Sequence, residues 1–232
     1  MRKSPYIVAS VALMILLATL FVGCTPPPSG NFTEGRISYR ITYDSLTRTS
    51  IPQHLLPSNL TVRFKDNNTN TQIGGMLAMG LIRNYSEQQY TNMVNIKFTG
   101  TRLKFTEPIT DATPAFYAAV PEVTISEQTT DCQMFGLNCK RTTGLYRSAA
   151  FRPFEIIYTN DISIVQPNSN TPFAEIDGVL LAFSLYIPPF MMHIKAIDVR
   201  SERVANDIFE SPKNFNEVDA KTITDLLQTI MK

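Results

Sequence analysis

Leu20-Phe21-Val22-Gly23-Cys24 carries the one covalent chemistry that residue order alone spells out in this chain. An apolar run, then a small residue, then cysteine is the order that a bacterial lipoprotein signal needs. Cleavage before Cys24 makes it the first residue of the mature protein, where it carries acyl chains. Two acyl-bearing groups hold a protein stably on a bilayer, whereas one chain alone is marginal. Arg2 and Lys3 form the basic start, and Ile7 to Leu20 the apolar stretch. That stretch has the length of a signal and is short for a membrane span. An uncleaved N-terminal anchor helix is the alternative, because the run extended to Val22 nearly spans. Phe21 stands where Leu is usual, three before the cysteine. No acidic residue sits just after Cys24, which favours the periplasmic leaflet of an outer membrane.

Cys132 and Cys139 are the other two of the three cysteines. In the oxidising compartment that the signal implies, they are expected to pair. A disulfide over the short loop Gln133 to Asn138 would stabilise by roughly 2–3 kcal/mol in the chain-entropy model. Two free buried thiols are the alternative. Their spacing is not the C-x-x-C of redox motifs, and neither histidine lies near enough in sequence to suggest zinc. No metal and no cofactor are expected.

His54 and His193 are the only two histidines, so a Ser–His–Asp array would have to use one of them. There is no G-x-S-x-G elbow, no H-E-x-x-H and no phosphate loop ending in Gly-Lys-Ser/Thr. Enzymatic activity and catalytic residues are therefore not expected. Binding chemistry is the better prospect. Met76, Met79, Met191 and Met192, with Phe183, are candidates to line a pocket for acyl chains, since methionine adapts to flexible apolar guests. Ordinary core packing is the other reading of the same residues.

These residues need a scaffold, and the patterning describes one. Removing the first 23 of 232 residues leaves 209, which suits a single domain. The net charge of +1 becomes −1 once Arg2 and Lys3 leave, so no field draws nucleic acid. Fourteen Phe and nine Tyr favour an aromatic-rich β core. Ile37, Tyr39, Ile41 and Tyr43 alternate with polar residues, as do Leu60, Val62 and Phe64. Asp66 to Asn70 reads as a polar turn. Ile73 to Ile82 reads as one strand with glycine bends, because interior glycines at 74, 75 and 80 each cost a helix about 1 kcal/mol. Further strands are expected around Val94–Phe98, Leu103–Phe105, Val123–Ile125 and Phe154–Tyr158. Leu181 to Ile187 and Phe190 to Val199 read as adjacent antiparallel strands broken by Pro188-Pro189. Asp219 is placed to cap a last helix with an Ile223, Leu226, Leu227, Ile230 stripe.

Asp177-Gly178-Val179-Leu180-Leu181-Ala182-Phe183, then Ile194-Lys195-Ala196-Ile197-Asp198-Val199, then Val204, Phe209-Glu210-Ser211-Pro212 and Phe215-Asn216-Glu217-Val218 follow in a suggestive order. This order resembles the end of LolA/LppX-like periplasmic proteins and their lipoprotein relatives. Met134-Phe135-Gly136-Leu137-Asn138-Cys139-Lys140 resembles a G-x-x-C-K entry to a strand in those relatives. The resemblance implies a mainly β fold: an open, curved antiparallel half-barrel with an apolar cavity that receives lipid chains. It brings no catalytic residues. LolA is a soluble shuttle, whereas Cys24 would fix this chain to a membrane.

The expected organisation is a signal peptide over 1–23, a lipidated Cys24 with a proline-rich tether over 24–31, and one β-rich domain over 32–232 with a C-terminal helix and few others. The expected role is an envelope lipoprotein that binds or transfers a lipid or other apolar ligand. An interaction module for an envelope protein partner, using exposed sheet edges, is the alternative.

Overall fold

The computed structural model describes residues 31–44, 56–110, 120–147, 151–169, 171–187 and 190–231. The signal segment, Cys24, all of the tether but Asn31, His54 and Pro188-Pro189 lie outside the described residues.

Alternating apolar and polar residues set the architecture, because a strand with one greasy side must lay that side against another layer. Thirteen strands join in one large, curved, unclosed sheet, and the chain is mainly β with one C-terminal helix. In chain order they are β1 Glu34–Tyr43, β2 Asn59–Lys65, β3 Asn68–Gly74, β4 Leu77–Asn84, β5 Gln89–Ile96 and β6 Thr101–Pro108. Then come β7 Val123–Ile125, β8 Thr130–Met134, β9 Leu137–Tyr146, β10 Phe154–Thr159, β11 Val179–Ile187, β12 Phe190–Arg200 and β13 Asn216–Glu217. A 3-10 turn spans Asn206–Phe209, and helix α1 spans Ala220–Met231.

The spatial order is β13-β6-β5-β4-β3-β2-β1-β12-β11-β10-β9-β7, with β8 beside β9. Neighbours are antiparallel throughout, except that β13 runs parallel to β6. β1 and β12 pair in the middle, so the first and last long strands close the two halves of the sheet onto one another. β11 pairs with β12 antiparallel, as the C-terminal alternation predicts.

Two local expectations need correction. The polar turn is shorter than Asp66 to Asn70: only Asp66 and Asn67 turn, both at positive φ, and β3 begins at Asn68. Ile73 to Ile82 is a hairpin rather than one strand. β3 ends at Gly74, Gly75 and Met76 turn, and β4 starts at Leu77 with Ile73 opposite Met79.

The inner residues of β1, β2, β10, β11 and β12 form the main core, with Ile37, Phe64, Ile156 and Leu181 fully buried. A second cluster joins Val94, Ile96 and Phe105 to Ile223 of α1. Asp219 caps that helix by accepting the Thr222 N–H at 2.7 Å. Ile223 is buried and Leu226 half-buried, as the stripe requires, while the side chains of Leu227 and Ile230 lie outside the described set. On the outer face, Val204 and Phe209 cover Ile82. Asn70 holds that covering segment by donating to the Ile208 carbonyl.

Candidate functional site

Residues of β1–β6, β11 and β12, with α1 and the 164–173 loop, line a partly open cavity of about 230 Å³ on the sheet's inner face. Register explains its wall. Across β3, β4, β5 and β6 the inward residues form three rows: Ile73, Met79, Val94, Leu103; then Thr71, Leu81, Asn92, Phe105; then Thr69, Arg83, Tyr90, Glu107. Successive rows lie two residues apart, about 7 Å along the strands. The wall therefore grades from apolar at the Met79 row to polar at the Arg83 row. Helix α1 seats Ile223 at the apolar end. The 164–173 loop lies at the polar end, where Arg83 Nη1 donates to the Val165 carbonyl at 2.9 Å and the Tyr90 hydroxyl meets Ser169 Oγ at 3.4 Å.

That loop is held firmly. The Asn168 side-chain amide donates to the carbonyls of Ile176 and Gly178, each at 2.8 Å. Phe173 is buried and packs edge-on against Phe183. The opposite wall is tied by Tyr39, whose buried hydroxyl donates to the Leu180 carbonyl at 2.8 Å, joining β1 to β11 across the concave face. Burial raises the Tyr39 phenol far above its ordinary pKa and pushes Tyr43 up to about 12.

Three of the five candidate lining residues, Met79, Phe183 and Met192, do line this cavity. Met191 does not, because alternation along β12 turns it to the face opposite Met192. Met76 is also outside it: the residue sits in the β3–β4 turn and is 45% exposed. The sequence reading missed the polar end entirely. Arg83, which the sequence reading did not single out, is only 3% exposed.

Cys132 and Cys139 stand directly opposite one another across the β8–β9 hairpin, but the expected disulfide is absent and both are free thiols. Cys139 Sγ–H donates instead to the carbonyl of Leu137, two residues earlier, at 3.4 Å. Burial and the adjacent Cys132 push its thiol up to about 11, so the thiolate that disulfide chemistry requires is scarce near neutral pH.

The tertiary fold also assembles a serine, a histidine and a carboxylate. His193 Nδ1 meets Ser184 Oγ at 2.8 Å, and His193 Nε2 meets Asp44 Oδ1 at 2.8 Å across 149 residues of sequence. The order is the reverse of a hydrolase triad, in which serine meets Nε2 and the carboxylate Nδ1. Ser184 is 4% exposed and faces away from the cavity that Phe183 and Leu185 line. A hydroxyl so covered is poorly placed to attack a substrate. The array ties β11 and β12 to the residue that follows β1. Among the described residues there is no group of His, Cys, Asp and Glu that could hold a metal ion, and no helix is long and apolar enough to cross a membrane.

No protein-family model matches the chain, and no curated protein does. A solved structure of PNGF-II in the C2 space group is similar, with a TM-score of 0.50 and 16% identity. The match covers 85% of this chain and 33% of that one, so this chain spans about a third of its length. The likeness is one of fold alone.

Proposed function

We propose that this chain is a lipoprotein of the bacterial cell envelope whose curved sheet binds, or hands on, a lipid or other apolar ligand. The observation that carries the reading is the cavity on the concave face, walled by Leu60, Ile73, Met79, Phe183, Met192 and Ile194. An apolar hollow forfeits contacts that a packed core would make, and an apolar guest restores them. The open, curved, mainly β sheet with a C-terminal helix supports the likeness to LolA/LppX-like proteins. Cys24 supplies the membrane anchor in this reading, most naturally in the outer membrane facing the periplasm, and the ligand role needs no catalysis.

Native mass spectrometry of the purified chain tests the ligand. A retained adduct of lipid mass, lost on Met79→Glu or Met192→Glu in variants that keep their β circular dichroism, is the expected result. A clean protein mass after incubation with membrane extract sinks the reading. Cys24→Ser tests the anchor and is expected to move the chain from the membrane to the soluble fraction.

A second reading, an interaction module for an envelope protein, draws on the unclosed sheet. Its ends are the short strands β7, β8 and β13, and Phe98 stands exposed in the turn after β5. Edges of this kind accept a partner's strand. A clean protein mass together with capture of one envelope protein by cross-linking favours this alternative.

A further inference from the structure

Arg83 is the charged residue that the cavity least explains. It is 3% exposed and lines the hollow. One of its five N–H donors, on Nη1, goes to the Val165 carbonyl. Its Nε is buried with no hydrogen-bond partner among the described residues. No carboxylate among the described residues lies within ion-pair distance of it; the recorded ion pairs all use other cations. The Tyr85 ring, 5.0 Å from the guanidinium carbon, adds a cation–π contact. Guanidinium stays charged at any ordinary pH, and a buried charge without a counter-charge is costly. Buried donors in native proteins nearly always have an acceptor. The loop contact alone would not require an arginine with an empty Nε.

The facing groups point the same way. Glu107 lies in the same row, but Tyr90 stands between, and two strand spacings separate them by roughly 10 Å. Its carboxylate, which also lines the hollow, accepts from the Asn92 amide at 2.8 Å through one oxygen. Thr69 on the other side brings no charge. The far end of the hollow, four residues along β4 and about 13 Å away, is the apolar Met79 row. Of the two charged groups that line the hollow, Arg83 has donors to spare and Glu107 has none, so this polar end beside an apolar end matches an amphipathic guest whose oxyanion head sits at Arg83. At about 30 Å³ for a water-sized group, the 230 Å³ holds roughly eight such groups.

We infer that the cavity takes a medium-length acyl or alkyl chain ending in a carboxylate or phosphate head, with Arg83 as the anchor of the head group. The inference rests on the cavity being a ligand site, as argued above. Arg83 offers the bidentate, planar donor set that such oxyanions accept.

Isothermal titration of the purified chain with octanoate, octyl phosphate and octanol tests it. Either anion is expected to bind roughly tenfold to a hundredfold more tightly than octanol, the gain of a buried hydrogen bond to charge. The stronger of the two anions identifies the head group. Arg83→Met is expected to abolish the preference for both anions over octanol, and Arg83→Lys to retain part of it. Equal binding of all three ligands by the unaltered chain overturns the Arg83 anchor but leaves the apolar cavity standing. Failure of all three to bind overturns the cavity reading itself. If Arg83→Met does not fold, the comparison on the unaltered chain still decides.

Discussion

Replacing Tyr146 with Phe removes one oxygen from a site where the structure gives that oxygen two tasks. β11 runs beyond the end of its pairing with β10, since the last residue of β11 matched there is Ala182. Past that point the backbone has β12 on one side but no matched strand on its β10 side, and the Tyr146 hydroxyl takes that strand's place. It donates to the Ser184 carbonyl at 2.9 Å and accepts the Tyr186 N–H at 2.9 Å. Tyr146 is 1% exposed, and its ring packs against Phe151, Phe154 and Tyr186, contacts that phenylalanine keeps. The Ser184 bond is fully buried, so orphaning that carbonyl costs about 1–3 kcal/mol. The Tyr186 bond is partly buried, and its loss adds roughly 0.5–1.5 kcal/mol. Tyr146→Phe is therefore expected to destabilise by about 2–4 kcal/mol, a large share of the stability of an ordinary domain. Urea denaturation followed by far-ultraviolet circular dichroism measures it, with an unchanged slope showing that the unfolded state is the same. A loss under about 0.5 kcal/mol would mean that water satisfies both groups, and the strand-substitute account would be wrong.

Glu34 gives a pH signature. The Val204 N–H, with Lys65 beside it, holds its carboxyl below the ordinary carboxylate value, so its contribution is complete above that range and disappears as pH falls through the lowered folded value. Glu34→Gln should thus lower the denaturation midpoint at neutral pH and converge with the parent in acid; parallel curves across that window would refute the assignment. The thiols should differ in reactivity: Cys139, buried and pushed up to about 11, is expected to resist alkylation in the folded protein at neutral pH, while half-buried Cys132 reacts first. Peptide mapping after timed labelling reads this directly, and equal rates would overturn it. Gly35 lies where any Cβ would run into the Arg200 backbone carbonyl. Gly35→Ala must therefore shift β1 against β12 and should cost at least about 1–3 kcal/mol by thermal or urea melting, an amount outside the scatter of surface substitutions.

The mainly β class, the C-terminal strand pair and the capped last helix were legible in the sequence because each depends on a local period. A greasy side repeating every two residues, as from Ile37 to Tyr43 or Leu181 to Ile187, has few ways to be buried other than as a strand. The hairpin at Gly74–Leu77 was less legible, since glycines signal a bend without saying whether the chain passes through it or turns back. The candidate site was legible only in part. Met79, Phe183 and Met192 follow from alternation, whereas Met76 and Met191 share their composition but not their face.

By itself the sequence determined which residues alternate and where the chain can turn. Tertiary structure alone decided what each buried face meets. Arg83 becomes a buried cation with no carboxylate paired to it among the described residues only because β3 through β6 align it with Thr69, Tyr90 and Glu107 beneath a loop some eighty residues away. His193 finds Ser184 and Asp44 only because β1 pairs with β12. The two cysteines, expected as a disulfide, stand opposite one another as free thiols, Cys139 buried and Cys132 half-buried. The physical reason is common to all three. A strand's period is set within a few residues, but register, curvature and burial come from partners distant in sequence, and these set the electrostatic environment of a side chain.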